Sequence, residues 1–186
     1  PAQFNLGMMY DEGRGVAQNY VQAIKWYRKV ADQGDAYAQF NLGVKYKQGR
    51  GVAQDDVQAV EWYRKAANQG HARAQFSLGW MYKEGRGVAQ DDVQAIEWFH
   101  KAADQGHAHA QGNLGEMYEE GRGVAQDDVQ AAKWYCKAAK RAETQANALQ
   151  CLLDQVTQYH ATLGLPPTHE WPWLTRLGGV GCCELG

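Results

Sequence analysis

The chain has 186 residues, 45% of them hydrophobic and 22% charged, with a formal net charge of −2. That balance is ordinary for a globular protein and gives no electrostatic reason to expect nucleic acid or an anionic membrane as a partner. The longest apolar runs last only a few residues, far short of the roughly 20 that cross a bilayer, so no membrane insertion is expected.

The chain enters at Pro1 in the middle of a repeating pattern, which reads as a piece of a longer or processed protein. The stretch GRGVAQDDVQA stands verbatim at 49–59, 85–95 and 121–131, and a near copy, GRGVAQNYVQA, stands at 13–23. The period is therefore 36 residues. Leu6-Gly7 returns as Leu42-Gly43, Leu78-Gly79 and Leu114-Gly115, Tyr10 as Tyr46, Tyr82 and Tyr118, and Trp26 as Trp62, Trp98 and Trp134. Self-similarity at a period of about 20–50 residues marks a stacked-repeat protein.

Residues 36–70 show one unit in full. AYAQFNLGVKYKQG has apolar residues at helical spacing, Phe40, Val44 and Tyr46 with Leu42 and Gly43 between them, and stops at Gly49. A second helix opens at Asp55, an N-cap, with Gln58 placed to close a capping box; Asn19/Gln22, Asp91/Gln94 and Asp127/Gln130 repeat the pair. This helix puts Ala59, Trp62, Tyr63 and Ala66 on one face and ends at Gly70. Each unit thus reads as helix, short loop, helix, tight turn.

Glycine inside a helix costs about 0.5–1 kcal/mol relative to alanine. Gly7, Gly43, Gly79 and Gly115 imply that the partner helix comes close there, with Ala59-type residues opposite and a tryptophan nearby. One helix pair cannot bury both its faces, so the units are expected to stack into an all-α solenoid of four 36-residue antiparallel pairs. In the loop, Gly49 and Gly51 supply backbone freedom, Arg50 is placed to bond exposed carbonyls, and Val52 to fill the gap between helices. A phosphate cradle is the alternative, but the loop lacks a P-loop lysine and follows a helix.

Residues 2–141, from AQFNLGMMYDEGRGVAQNYVQAIKWYRKVADQG through its three successors, resemble the Sel-one-like repeat (SLR) family, relatives of the tetratricopeptide repeats. The resemblance implies a right-handed stack of helix pairs that serves as an adaptor for other proteins, generally without catalysis; bacterial members vary too widely in role for a compartment to carry over. Past residue 141 the match ends. Residues 142–163 read as a capping helix with Leu149, Leu152, Leu153, Val156 and Leu163 on one side, and 164–186 as an irregular tail. In that tail, Trp171 and Trp173 are the expected contact residues.

In the related tetratricopeptide repeats the first helix of each pair lines the concave face. The equivalent stripe here runs through Met8 and Asp11, then Tyr37, Phe40, Val44 and Lys47, then Arg73, Phe76, Trp80 and Lys83, then His109, Glu116 and Glu119. These positions vary most between units, as expected of a surface that meets a guest. The stripe is basic at Lys45, Lys47, Arg73 and Lys83 and acidic at Glu116, Glu119 and Glu120, with Phe40, Phe76 and Trp80 as apolar anchors. Phe40 and Phe76 are equally placed to pack between units. Asn5, Asn41 and Asn113 invite comparison with the asparagine of a carboxylate clamp, but Phe4 and Met8 stand where its lysines would be, so bonds to neighbouring backbone are expected.

Nothing points to catalysis. Cysteine-rich members of the family are associated with β-lactams, but the cysteines here, Cys136, Cys151, Cys182 and Cys183, are not one per repeat. They form no disulfide framework over the repeats and no zinc-type spacing. The single serine, Ser77, begins no S-x-x-K motif, and His107 and His109 have no third ligand at suitable spacing. No metal or cofactor is expected. The expected partner is a protein or peptide in the stripe; the alternative is a structural module that self-associates through its end face or tail.

Overall fold

The computed structural model describes residues 2–140. Among them there is no strand, and the helices are α1 (Ala2–Glu12), α2 (Tyr20–Ala31), α3 (Ala36–Gln48), α4 (Asp56–Asn68), α5 (Ala72–Glu84), α6 (Asp92–Asp104), α7 (Ala108–Glu120) and α8 (residues 128–140). Each packs chiefly on its neighbours in sequence, giving the expected α-solenoid of consecutive helix pairs. The capping helix and tail expected over 142–186, with Trp171 and Trp173, lie outside the described residues.

The helix boundaries follow from local chemistry. Asn19, Asp55 and Asp91 each accept from the backbone N–H three residues on at 3.0 Å, and Asp127 does so at 2.9 Å. The reciprocal half of the expected capping box does not form at Gln58 and Gln94, whose amides turn outward to Glu61 and Glu97. The first helices have caps of their own. Asp35 accepts from the Ala38 N–H at 2.8 Å, and His71 and His107 accept through Nδ1 from Ala74 and Ala110 at 3.2 and 3.3 Å.

A Cβ built on Gly43 would lie 2.5 Å from the Tyr63 ring. Tyr27, Phe99 and Tyr135 close on Gly7, Gly79 and Gly115 in the same way. The nearest approach is therefore made by an aromatic ring one position after the tryptophan, with the expected neighbours behind it: the Ala95 carbonyl 3.1 Å from a Cβ on Gly79 and the Trp26 Cβ 3.4 Å from one on Gly7. Burying such a ring contributes roughly 1.5–3 kcal/mol, more than the glycine costs. Trp62, Trp98 and Trp134 instead carry Lys65, Lys101 and Lys137 over their rings at 4.0, 3.9 and 3.8 Å.

The repeated loop is a joint between units. Arg86 makes bidentate bonds of 2.8–3.0 Å to Asp56, thirty residues back at the start of the preceding unit's second helix, and Arg122 holds Asp92 likewise. In the first joint Tyr20 replaces the aspartate, and Arg50 lies over its ring at 5.8 Å. The arginine therefore grips a side chain of the previous unit and not the exposed carbonyls expected of it. Gly87, at φ +66, presses so closely on Asp56 that any Cβ would fall within that residue's backbone.

Buried glutamines add a second seam. Gln39, Gln75 and Gln111 each donate at 3.1 Å to the last-turn carbonyls of Ala31, Ala67 and Ala103. Gln39 and Gln75 also accept from Gln69 and Gln105 at 2.8 and 2.7 Å. The glutamine-to-carbonyl bond recurs at all three joints and the arginine–aspartate pair at the second and third, which is why the residues that make them recur in sequence.

Candidate functional site

The stripe read from the sequence lies on α1, α3, α5 and α7, and its members meet different fates. Met8, Val44, Phe76, Trp80 and Glu116 are half-buried, neither sealed nor fully open. Tyr37 is 64% exposed, and Arg73, His109 and Glu119 are exposed as well. Lys83 and Lys45 are buried at 8% and 5%, so these two are corrected from groove to interior, whereas Phe40, buried at 7%, packs between units and still turns its ring to a hollow across the first three repeats.

The charges explain the correction. A residue near the end of each first helix reaches the middle of the next first helix, about one repeat on. Asp11 forms an ion pair with Lys45 and accepts from the Tyr27 hydroxyl at 3.2 Å. Lys47 places its ammonium 4.0 Å from the Trp80 ring centre, with the Arg86 guanidinium 5.4 Å from the same ring. Burial, and next the Arg86 charge, hold the Lys47 ammonium below its ordinary pKa. Lys83 bonds Glu116 at 2.7 Å and Asn113 at 3.3 Å. Of the basic and acidic residues expected along the stripe, Lys83 and Glu116 thus bond each other, while Lys45 is taken by Asp11 and Lys47 by the Trp80 ring. Asn113 also donates to the His109 carbonyl at 2.8 Å, the neighbouring-backbone bond expected of these asparagines. Glu119 accepts from the Tyr135 hydroxyl at 2.7 Å, which pushes the Tyr135 pKa up to about 12.

What stays open is a hollow of about 340 Å³ across the first three repeats. Phe4, Met8, Tyr27 and Phe40 supply its apolar surface, and Asp11, Glu12, Tyr37, Asn41, His71 and Arg73 its polar rim. Arg73 rests over the Phe40 ring at 5.0 Å, His71 stacks on that ring at 4.9 Å, and Tyr37 meets His71 edge-on at 4.8 Å. Burial, and next the Arg73 charge, lower the His71 pKa, so the neutral ring that caps α5 is favoured.

His71 and Tyr27 are lining residues that the sequence reading did not pick out. A signal for His71 was available: Asp35, His71 and His107 share one register immediately before an A-x-A-Q helix start. A second hollow, about 530 Å³, is lined by Asn5, Met8, Met9, Arg14 and Gly15 at the first repeat's end of the stack. Among the described residues no group of three or more His, Cys, Asp or Glu side chains is arranged to hold a metal, and Cys136 is exposed with a free thiol.

A family model described as Sel1 repeat matches residues 1–35, 36–71, 72–107 and 108–142. A protective antigen of uropathogenic Escherichia coli with an SLR fold is 47% identical, with TM-score 0.75, over 76% of this chain and 30% of that one. A Sel1 repeat protein from Oxalobacter formigenes is 38% identical, with TM-score 0.73, over 89% of this chain and 66% of that one. The chain therefore spans under a third of the first structure and about two thirds of the second. Helicobacter pylori cysteine-rich protein B, 24% identical with TM-score 0.53 over 61% of this chain and 90% of that one, shares the fold. No curated protein matches the chain significantly.

Proposed function

The chain belongs to the Sel1 repeat family, whose members are generally non-catalytic protein–protein interaction scaffolds, and we propose that it binds a peptide or partner protein along its first-helix stripe. The observation that carries this reading is the contrast within the stripe. Lys45, Lys83, Asp11 and Glu116 bond to one another across the joints, whereas Tyr37 and Arg73 stand exposed beside the hollow floored by Phe4, Met8 and Phe40. An exposed aromatic and an exposed arginine over apolar surface are the side chains that most often dominate protein interfaces.

Affinity capture with the full chain tests it, comparing the native protein with Tyr37→Ala/Arg73→Glu and with Val57→Ala on the second helix of its unit. Val57 is 55% exposed and does not line the hollow. Specific partners are expected to be lost with the groove pair and kept with Val57→Ala. Partners retained by the groove variant would remove the stripe as the binding surface.

A second reading, self-association, rests on the hollow at Met8, Met9, Arg14 and Gly15. The equivalents of Met9 in later units, Lys45, Met81 and Met117, are buried against the preceding repeat at 5%, 0% and 0%. Light scattering of the native chain against Arg14→Glu decides it, since a dimer through this face should dissociate in the variant.

A further inference from the structure

The hollow over the first three repeats contains three formally charged side chains, and two already have partners. Asp11 is paired with Lys45, and Glu12 with Arg14 at 2.6 Å. His71 uses Nδ1 to accept from the Ala74 N–H and stacks on Phe40. Arg73 has no carboxylate partner among the described residues; its guanidinium rests on Phe40 and its surface faces solvent. A guanidinium already held against an aromatic ring has lost part of its rotamer freedom, so less entropy remains to be lost when it pairs with a carboxylate.

We infer that this groove takes an internal, extended peptide segment in which an acidic side chain pairs with Arg73 and an apolar side chain two residues away rests on Phe4, Met8 and Phe40. This deepens the scaffold reading and rests on it. The spacing follows from strand geometry. In an extended chain, residues i and i+2 point the same way and lie about 6.6 Å apart. Arg73 and Phe40 are 5.0 Å apart, near enough for two such side chains to reach both. A carboxylate meets a guanidinium with two parallel bonds, whereas a lysine or arginine placed there would be repelled. Tyr37, beside Arg73 and 64% exposed, supplies the wall against which the segment lies. The volume of about 340 Å³ has room for one large side chain and a carboxylate rather than a folded domain.

The test is selection of random twelve-residue peptides, displayed with no free carboxyl end, on the immobilised full chain. The enriched peptides are then made in acetylated, amidated form and measured by fluorescence anisotropy. Enrichment of Asp or Glu two residues from Leu, Ile, Phe or Trp is expected. Affinity should fall about tenfold or more in Arg73→Glu, less in Arg73→Lys, and several-fold in Tyr37→Ala, with weaker binding at higher salt. Circular dichroism checks that each variant is folded, and Arg73 and Tyr37 are exposed enough to change without loss of core.

Enriched peptides that are basic or uncharged, or indifferent to Arg73→Glu yet weakened by Tyr37→Ala, would overturn the acidic chemistry and leave the groove standing. Peptides that prefer a free carboxyl end over the amide would assign the carboxylate to a chain terminus and overturn the internal-segment assignment. Binding untouched by either substitution, or no enrichment at all, would overturn both this inference and the stripe as a binding surface.

Discussion

Lys83 Nζ lies 2.7 Å from Glu116 Oε2, thirty-three residues away on the next first helix, with the lysine side chain 9% exposed and the glutamate 45%. Both belong to the stripe that the repeats present as variable. Their variability reflects a joint in which each unit's choice is matched by its neighbour's, as Lys47 is matched by Trp80 and Asp11 by Lys45.

This pairing predicts an asymmetry. Glu116→Ala leaves a buried ammonium with only Asn113 to accept from it and should destabilise the chain by about 1–3 kcal/mol. Lys83→Met removes the charge that needs a partner and leaves the exposed glutamate in water, so it should be near neutral or stabilising. Urea unfolding of the two variants measures the difference, and equal losses would contradict the account.

Gly43→Ala is expected to destabilise although alanine is the better helix former. Propensity favours alanine by about 0.5–1 kcal/mol, but the added methyl would sit 2.5 Å from the fully buried Tyr63 ring. Overpacking of that kind costs about 1–3 kcal/mol. The double variant with Tyr63→Ala should recover the alanine preference at this position in a double-mutant cycle of unfolding free energies.

Gly87→Ala should be worse, since the position combines φ +66 with backbone contact to Asp56. A loss above about 3 kcal/mol is expected. Because the strain falls between units, native-state hydrogen exchange should show the second and third repeats opening separately in the variant. By contrast, Arg86→Ala, which removes the half-exposed bidentate pair with Asp56, should cost only about 1 kcal/mol.

The pH dependence follows from His71. Its pKa is held below the ordinary value by burial and then by Arg73, so the folded state binds its proton less readily than the unfolded chain. The stability it adds is present above about pH 6.5, the unfolded value, and is lost as pH falls through the lowered one. Protonation also removes the Nδ1 acceptor that caps α5, worth about 1 kcal/mol. Urea midpoints between pH 7.5 and 5 should fall in the native chain and fall less in His71→Asp, which restores the residue type found at Asp35. The slope that remains in the variant should include His100, whose pKa is lowered chiefly by burial.

The helix boundaries were legible because they depend on neighbours in sequence. Asp55 and Gly49 cap helices through bonds to residues within a few positions, and such signals survive in the linear pattern. Apart from the glutamine half of the capping box, the misread partners were distant ones. Arg50-type residues read as placed to bond exposed carbonyls, whereas Arg86 and Arg122 grip aspartates thirty residues back. The mid-helix glycines announced a close approach, yet nothing in their own spacing said that the Tyr63 ring would come nearest.

The sequence by itself determined the repeat, its period, the helix pairs and the loop that joins them, since these are set by contacts within a few residues and recur four times. Only the tertiary structure decided which stripe residues remain available. Whether a lysine faces a guest or a neighbour depends on what the next first helix brings within bonding distance, one full repeat away. That is why Lys83 lies inside, held by Glu116, while Arg73 stands open over Phe40.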